Sequence, residues 1–170
     1  MRHIMPTTIA ILAAAVLQVA LAPHLAIGGA VPNFMLLIVI ASALVEGPRF
    51  GAVTGFSAGL LFDLLGTGPI GPMALVLCLV GFAAGSLQEN MFAEGWRLPV
   101  TVVFLASLVT EIAYWGVLAV TGIAAAFGTT FVHVMLPSAL YNGVLALLIF
   151  PWLARFLRRD TAMTTFQRMG

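Results

Sequence analysis

The sequence predicts an all-α membrane protein, a bundle of six transmembrane helices, and three observations support this fold class. First, 62% of the 170 residues are hydrophobic and only 8% are charged, whereas a soluble domain carries about 25% charged residues. Lipid must therefore be the solvent for most of the surface. Second, the chain divides into six apolar runs. Third, all seven basic residues are arginines, and a six-span topology places them on one side.

The six apolar runs set the predicted spans. A helix needs about 20 apolar residues, with a range of roughly 17–25, to cross the hydrocarbon core. The second and third runs are shorter than this, so they form either short helices buried among the others, which we favour, or a hairpin that enters and leaves on one side. The spans expected within one membrane domain, residues 1–170, cover residues 7–25, 33–45, 50–65, 72–87, 99–121 and 134–157.

The arginines predict the orientation, because cytoplasmic loops of membrane proteins are enriched in Lys and Arg. With six spans, the N-terminus, the loops near residues 48 and 93 and the C-terminal tail hold every arginine. The loops near residues 29, 68 and 128 hold none. We therefore expect both termini in the cytoplasm, with Arg155, Arg158 and Arg159 close to anionic lipid headgroups.

Catalytic and metal-binding patterns are absent from the sequence. His3, His24 and His133 are scattered, and none pairs with Glu or another His at the spacing of metal ligands. The single cysteine, Cys78, excludes a disulfide or a Cys-based metal site within one chain. Seven arginines leave no basic face for nucleic acid. We expect a protein that is not an enzyme and needs no cofactor or metal.

A ridge of glycines runs along the third span. Gly47, Gly51, Gly55 and Gly59 recur at intervals of four residues, which on a helix leaves a stripe without side chains. Such stripes let two helix backbones approach closely in lipid. The ridge either packs against another helix of the same chain, which we favour, or accepts the helix of another protein.

A few polar side chains interrupt the apolar runs. We expect Asp63 to accept N–H bonds from the turn that follows it, or to meet water, rather than to bind a ligand. Glu111 lies near the middle of the longest span, where a charge costs about 2.5–3.5 kcal/mol. It should be neutral or hydrogen-bonded, and structural and functional roles are both open.

Asn142, like Gln18, needs a hydrogen-bond partner on another helix. Asn33 is expected as the first residue of the second helix rather than its cap.

Several motifs follow one another in order along nearly the whole chain. They are Pro32-Asn33-Phe34-Met35-Leu36-Leu37, Pro48-Arg49, Thr54-Gly55-Phe56, Gly59-Leu60-Leu61-Phe62-Asp63-Leu64-Leu65, Gly71, Gly81, Gly85, Tyr141-Asn142-Gly143-Val144-Leu145, Phe150-Pro151-Trp152 and the arginine-rich tail. Gln18 and Glu111 fit the same pattern. In combination, these motifs make the sequence similar to the MreD family of rod shape-determining proteins.

The resemblance implies a function that composition alone does not. MreD family members are non-enzymatic components of the bacterial elongation (Rod) complex in the inner membrane. They work with the membrane protein MreC, alongside MreB, the glycosyltransferase RodA and a class B penicillin-binding transpeptidase. The family is also similar in fold to the S-components of energy-coupling-factor transporters. We therefore expect a scaffold that binds MreC and supports the regulation of peptidoglycan synthesis and rod cell shape, with the glycine ridge as its candidate interface.

Two other functions stand as alternatives. The likeness to S-components suggests a protein that binds a small molecule or a lipid, with Gln18, Glu111 and Asn142 lining the pocket. A channel or proton-coupled transporter built around Glu111 is less favoured, because the middle of the spans offers no second acid for a proton relay.

Overall fold

A computed structural model describes residues 4–87, 97–122 and 126–166, and this part of the chain is helical throughout apart from its connections. Helix α1 (Ile4–Ala20) is followed by a 3-10 turn (Ala22–Leu25), α2 (Phe34–Glu46), α3 (Pro48–Leu65), α4 (Pro72–Gly85) and α5 (Arg97–Val120). The last segment consists of α6 (Phe127–Thr130), a π-helical stretch (Phe131–Met135) and α7 (Leu136–Phe166). The six apolar runs thus become six successive helical segments.

The helices differ in length. By length and composition, Pro99–Val120 and Phe127–Ile149 are long and apolar enough to cross a membrane. Three apolar helices are shorter: Met5–Ala20, Phe34–Glu46 and Pro72–Gly85. Large apolar side chains are exposed on the outside of the bundle, among them Val53, Leu79 and Leu148. An apolar exterior of this extent suits contact with lipid rather than with water.

Helix α2 forms the centre of the bundle. Every residue from Phe34 to Leu44 is buried, because α1, α3, α4, α5 and α7 all pack around this helix. Its 13 residues give a length of about 20 Å. It is therefore a short helix buried among the others, which is the alternative that the sequence pattern favours.

Gly47 alone connects α2 to α3. Its φ of 94° lies in the region that glycine adopts without strain, and Pro48 directly after it begins α3 as proline does at first helical positions. Arg49 is exposed at this turn, and the end of α4 lies here too, since Gly85 meets the backbone of Pro48. We call this side of the bundle the arginine end.

The opposite side, which we call the uncharged end, is formed by residues 21–33, 66–71, 119–122 and 126–133. Two of these segments meet where a Cβ placed on Gly29 would lie 3.9 Å from the His133 carbonyl oxygen. The turn at residues 66–71 lies beside α5, since a Cβ placed on Gly68 would lie 2.8 Å from the Tyr114 hydroxyl. Arg2, Arg168 and the loop near residue 93 lie outside the described residues.

The last helical segment begins earlier than the sequence predicts. A loop is expected near residue 128, but Phe127–Thr130 is helical. The Thr129 and Thr130 hydroxyls donate to the Ala126 carbonyl at 3.0 and 2.9 Å, and Phe127 packs edge-on against Trp115 with ring centroids 4.8 Å apart. These contacts stabilise a helical turn at Phe127–Thr130, where the composition alone predicts a loop.

The π-helical stretch Phe131–Met135 ends two residues before Pro137, which is the second residue of α7. Proline has no N–H to donate to the carbonyl four residues earlier, and its ring clashes with that carbonyl. A wider helical register relieves this conflict without ending the helix. The segment consequently continues as α7 to Phe166.

Candidate functional site

Four polar side chains meet where α2 begins, and we call this group the polar junction: Gln18, Asn33, Ser107 and Asn142. Gln18 Oε1 accepts the Phe34 N–H at 2.9 Å, and its Nε2 donates to the Pro32 carbonyl at 3.0 Å. Gln18 therefore bonds the two peptide groups on either side of Asn33, directly before α2.

Asn142 on α7 bonds the N–H of the Pro32–Asn33 peptide, whose carbonyl accepts from Gln18. Its Oδ1 accepts the Asn33 N–H at 2.8 Å, and its Nδ2 donates to Ser107 Oγ at 2.6 Å. Asn142 is fully buried and Ser107 is 1% exposed. The cross-helix partner that Asn142 requires is thus present on two elements, the start of α2 and the middle of α5.

Asn33 is the cap of α2, and the prediction that it would be the first helical residue is wrong. Its side-chain oxygen accepts the Leu36 N–H at 2.9 Å, as an N-cap asparagine does. Asparagine directly before an apolar helix is typical of a cap, whereas Pro32 favours a helix that already includes Asn33. Pro32 lies before the cap, so its fixed φ does not start the helix.

The polar junction satisfies N–H groups that a helix leaves unpaired at its start. The start of α2 is buried, since Asn33 is 6% and Phe34 6% exposed, and an unpaired N–H away from water costs several kcal/mol in lipid. Gln18, Asn33 and Asn142 each supply one amide oxygen. The arrangement therefore explains why these three carboxamides occur among apolar residues.

Glu111 is not part of the polar junction. Its side chain is half-buried on α5, and the described part of the chain offers its carboxylate no hydrogen-bond partner. The Ser107 hydroxyl, four residues before Glu111 on α5, accepts from Asn142 instead. The neighbouring Thr110 hydroxyl is buried and has no partner among the described residues. The structure therefore brings Gln18 and Asn142 to one site and leaves Glu111 separate.

Asp63 joins the end of α3 to the start of α4. Its Oδ2 accepts the N–H groups of Gly71, Met73 and Ala74 at 2.8, 3.1 and 3.2 Å, and the residue is 4% exposed. These are the backbone bonds expected from the sequence. A carboxylate at a helix N-terminus also meets the positive end of the helix dipole, so Asp63 caps α4 from a neighbouring helix.

The glycine ridge packs against α4. A Cβ added at Gly51 would meet the Gly81 carbonyl, one at Gly55 would meet the backbone of Leu77, and one at Gly59 would meet that of Ala74. Of the two alternatives for the ridge, the structure therefore shows packing within the chain. Gly47 lies in the turn before α3. A partner helix could reach the ridge only by displacing α4.

Among the described residues, two grooves with an apolar lining open on the outside of the bundle. The larger, about 270 Å³, lies between α1, α2 and α7, and the smaller, about 190 Å³, lies between α4 and α5. Ala13 lines the first groove and Ala83 lines the second. Neither groove is lined by Gln18, Glu111 or Asn142, so the predicted polar pocket is not formed by these three side chains in either groove.

The described residues contain no group of three or more His, Cys, Asp or Glu side chains that could hold a metal ion. The side chains of Arg155, Arg158 and Arg159 fall on α7 but lie outside the described part of the structure. Their contact with lipid headgroups stays a prediction. The described residues therefore present apolar surfaces for packing, and their polar side chains mainly bond one helix to another.

Comparison with known proteins points to one family. The chain is 33% identical over 104 residues to one of the subunits of tetrahydromethanopterin S-methyltransferase from Methanococcus vannielii. That match covers 61% of this chain and 36% of the methyltransferase polypeptide, so the chain spans about a third of that relative's length. No solved structure matches the chain significantly. The family model of the rod shape-determining protein MreD matches residues 1–160. The chain therefore belongs to the MreD family of rod shape-determining proteins.

Proposed function

We propose that this chain is a non-enzymatic scaffold of the bacterial elongation complex that binds MreC in the inner membrane. It crosses the membrane six times with both termini in the cytoplasm, in an arrangement like that of the S-components. Through MreC it supports the regulation of peptidoglycan synthesis by RodA and a class B penicillin-binding transpeptidase, together with MreB. The family match over residues 1–160 carries this proposal.

The use of the polar side chains supports a scaffold over a ligand-binding protein. The amide groups of Gln18 and Asn142 are engaged at the start of α2, and the carboxylate of Asp63 is engaged at the start of α4. A pocket for a polar small molecule would need such groups free. The two grooves are instead lined almost entirely by apolar side chains.

The surface for MreC is an exposed helix face rather than the glycine ridge, because α4 already covers the ridge. In lipid, helices associate through close packing where small side chains let backbones approach. Both grooves have small residues at their surface, Ala13 in one and Ala83 in the other. We therefore place the MreC transmembrane helix in one of these two grooves.

Co-purification from detergent-solubilised membranes tests this proposal. Full-length chain is co-expressed with tagged MreC, and Ala13→Phe and Ala83→Phe serve as matched variants that fill one groove each. We expect the unaltered chain to be retained with MreC and one of the two variants to lose retention while the other keeps it. Failure of the unaltered chain to co-purify would count against the scaffold, and retention of both variants would exclude the grooves.

A further inference from the structure

The uncharged end of the bundle exposes large apolar side chains. Residues 21–33, 66–71, 119–122 and 126–133 contain no Asp, Glu, Lys or Arg. In the connections Ile27 is 67% and Ile70 65% exposed, and Val120 at the end of α5 is 90% exposed. Loops that face water are normally polar. We therefore expect an apolar medium rather than water to cover this loop surface.

The turn between α3 and α4 is recessed relative to the end of α5. Gly68 in that turn lies beside the Tyr114 hydroxyl, and α5 continues from Tyr114 to Val120, about 9 Å further along its axis. The 24 residues of α5 span about 36 Å, enough for a hydrocarbon core of about 30 Å. The 14 residues of α4 span only about 21 Å. A membrane that matches α5 therefore extends past the α3–α4 turn.

The turn has bonded backbone N–H groups and apolar neighbours, which allow lipid to contact it. Irregular backbone is not tolerated in hydrocarbon unless its polar groups are bonded. Here Asp63 accepts the N–H groups of Gly71, Met73 and Ala74, so the start of α4 presents few bare donors. The side chains on either side of the turn, Leu64 and Leu75, are 57% and 62% exposed, and they continue the apolar exterior of the bundle onto the turn.

We propose that the α3–α4 turn is immersed at the boundary between headgroups and acyl chains of the leaflet at the uncharged end, and that the membrane is locally thinned there. This inference rests on the multi-span arrangement given under the proposed function. A short hydrophobic length is accommodated by thinning of the bilayer around it. Lipid is the occupant rather than a partner protein, because the surface is continuous with the apolar exterior of the helices and the turn, residues 66–71, carries no charged side chain.

Spin-label depth measurements test the proposal on the full chain without MreC. In a Cys78→Ser background, single cysteines are introduced by Ile70→Cys at the turn, Leu79→Cys on the exposed face of α4 and Arg49→Cys at the arginine end. The labelled proteins are reconstituted in vesicles of phosphatidylethanolamine and phosphatidylglycerol. Collisions of each nitroxide with molecular oxygen, which concentrates in lipid, are compared with collisions with a water-soluble nickel chelate.

We expect the oxygen-to-nickel collision ratio at position 70 to be lower than that at position 79, in the middle of α4, and to exceed that at position 49 several-fold. A ratio at position 70 equal to that at position 49 would place the turn in water and overturn the proposal. Low accessibility to both reagents would show a protein contact and overturn it as well. If position 79 itself behaved as water-exposed, the multi-span arrangement would fail, which separates that failure from a failure of the turn alone.

Membrane thickness gives a second readout. The unaltered chain is reconstituted in phosphatidylcholines with short and with long monounsaturated chains. We expect a higher unfolding temperature in the short-chain lipid, because it matches α4 with less deformation. A higher unfolding temperature in the long-chain lipid would contradict local thinning.

Discussion

The Asn142 side-chain oxygen accepts the backbone N–H of Asn33 at 2.8 Å, and this bond joins two residues that are 109 positions apart. The contact holds α7 against the start of the central helix α2. Because the same carboxamide also donates to Ser107, one side chain connects α2, α5 and α7. The stability of the bundle should therefore depend on this residue more than on any single apolar contact at its exterior.

Replacing Asn142 tests the polar junction. We expect Asn142→Leu to lower the free energy of unfolding by about 1–3 kcal/mol, because it leaves the buried Asn33 N–H without an acceptor. Ser107→Ala is the matched control, since it removes only the acceptor of the Asn142 amide and should cost about 1 kcal/mol. Reversible unfolding in mixed micelles measures both. Equal stability of Asn142→Leu and the unaltered chain would show that the junction is dispensable.

Asp63 offers a second test, at the start of α4. Asp63→Leu removes the acceptor of three backbone N–H groups and should destabilise the chain by about 1–3 kcal/mol. Asp63→Asn keeps one acceptor oxygen but loses the charge that favours a helix N-terminus, so its loss should be intermediate. The order of unfolding temperatures in detergent, unaltered chain above Asn above Leu, is the expected result. Any other order would argue against the cap.

Replacement of glycine by alanine should have opposite effects on stability at Gly55, in the glycine ridge, and at Gly116, outside it. Gly55→Ala places a methyl group against the backbone of Leu77 and should cost about 1–3 kcal/mol through overpacking. Gly116→Ala on α5 meets nothing within 4 Å, so the better helix propensity of alanine should stabilise the chain by about 0.5–1 kcal/mol. Unfolding measurements on both variants check the sign. Tolerance of Gly55→Ala would mean that α3 and α4 are less closely packed than the structure shows.

The central position of α2 predicts a contrast between two leucines. Leu36 is 0% and Leu79 is 62% exposed. Leu36→Ala should cost about 2–5 kcal/mol, because it leaves a cavity in the core. Leu79→Ala should change the free energy of unfolding little, since lipid tails replace the lost contacts. Equal effects of the two substitutions would contradict the assignment of α2 as the core and the outer face of α4 as lipid-facing.

Much of the architecture could be predicted from composition and pattern. Six apolar runs indicate six helical segments, and the low content of charged residues indicates a lipid-facing exterior. The role of Asp63 also follows from the sequence, because an acid just before a Gly- and Pro-rich turn and a new helix lies within reach of unpaired N–H groups. The capping role of Asn33 was accessible to the same reasoning but was missed. Local bonding rules are enough for features of this kind.

The sequence by itself determined that the polar side chains need partners and that the glycines on α3 need a close neighbour. Only the tertiary structure decided which partners these are. Asn142 bonds to Asn33 and Ser107 rather than to Glu111, and the glycine ridge meets α4 rather than another protein. The physical reason is that a carboxamide in lipid can form hydrogen bonds with any donor or acceptor at the same depth. A ridge of small residues can likewise pack against any helix backbone of matching shape. The packing of α2 at the centre of the bundle selects among these possibilities.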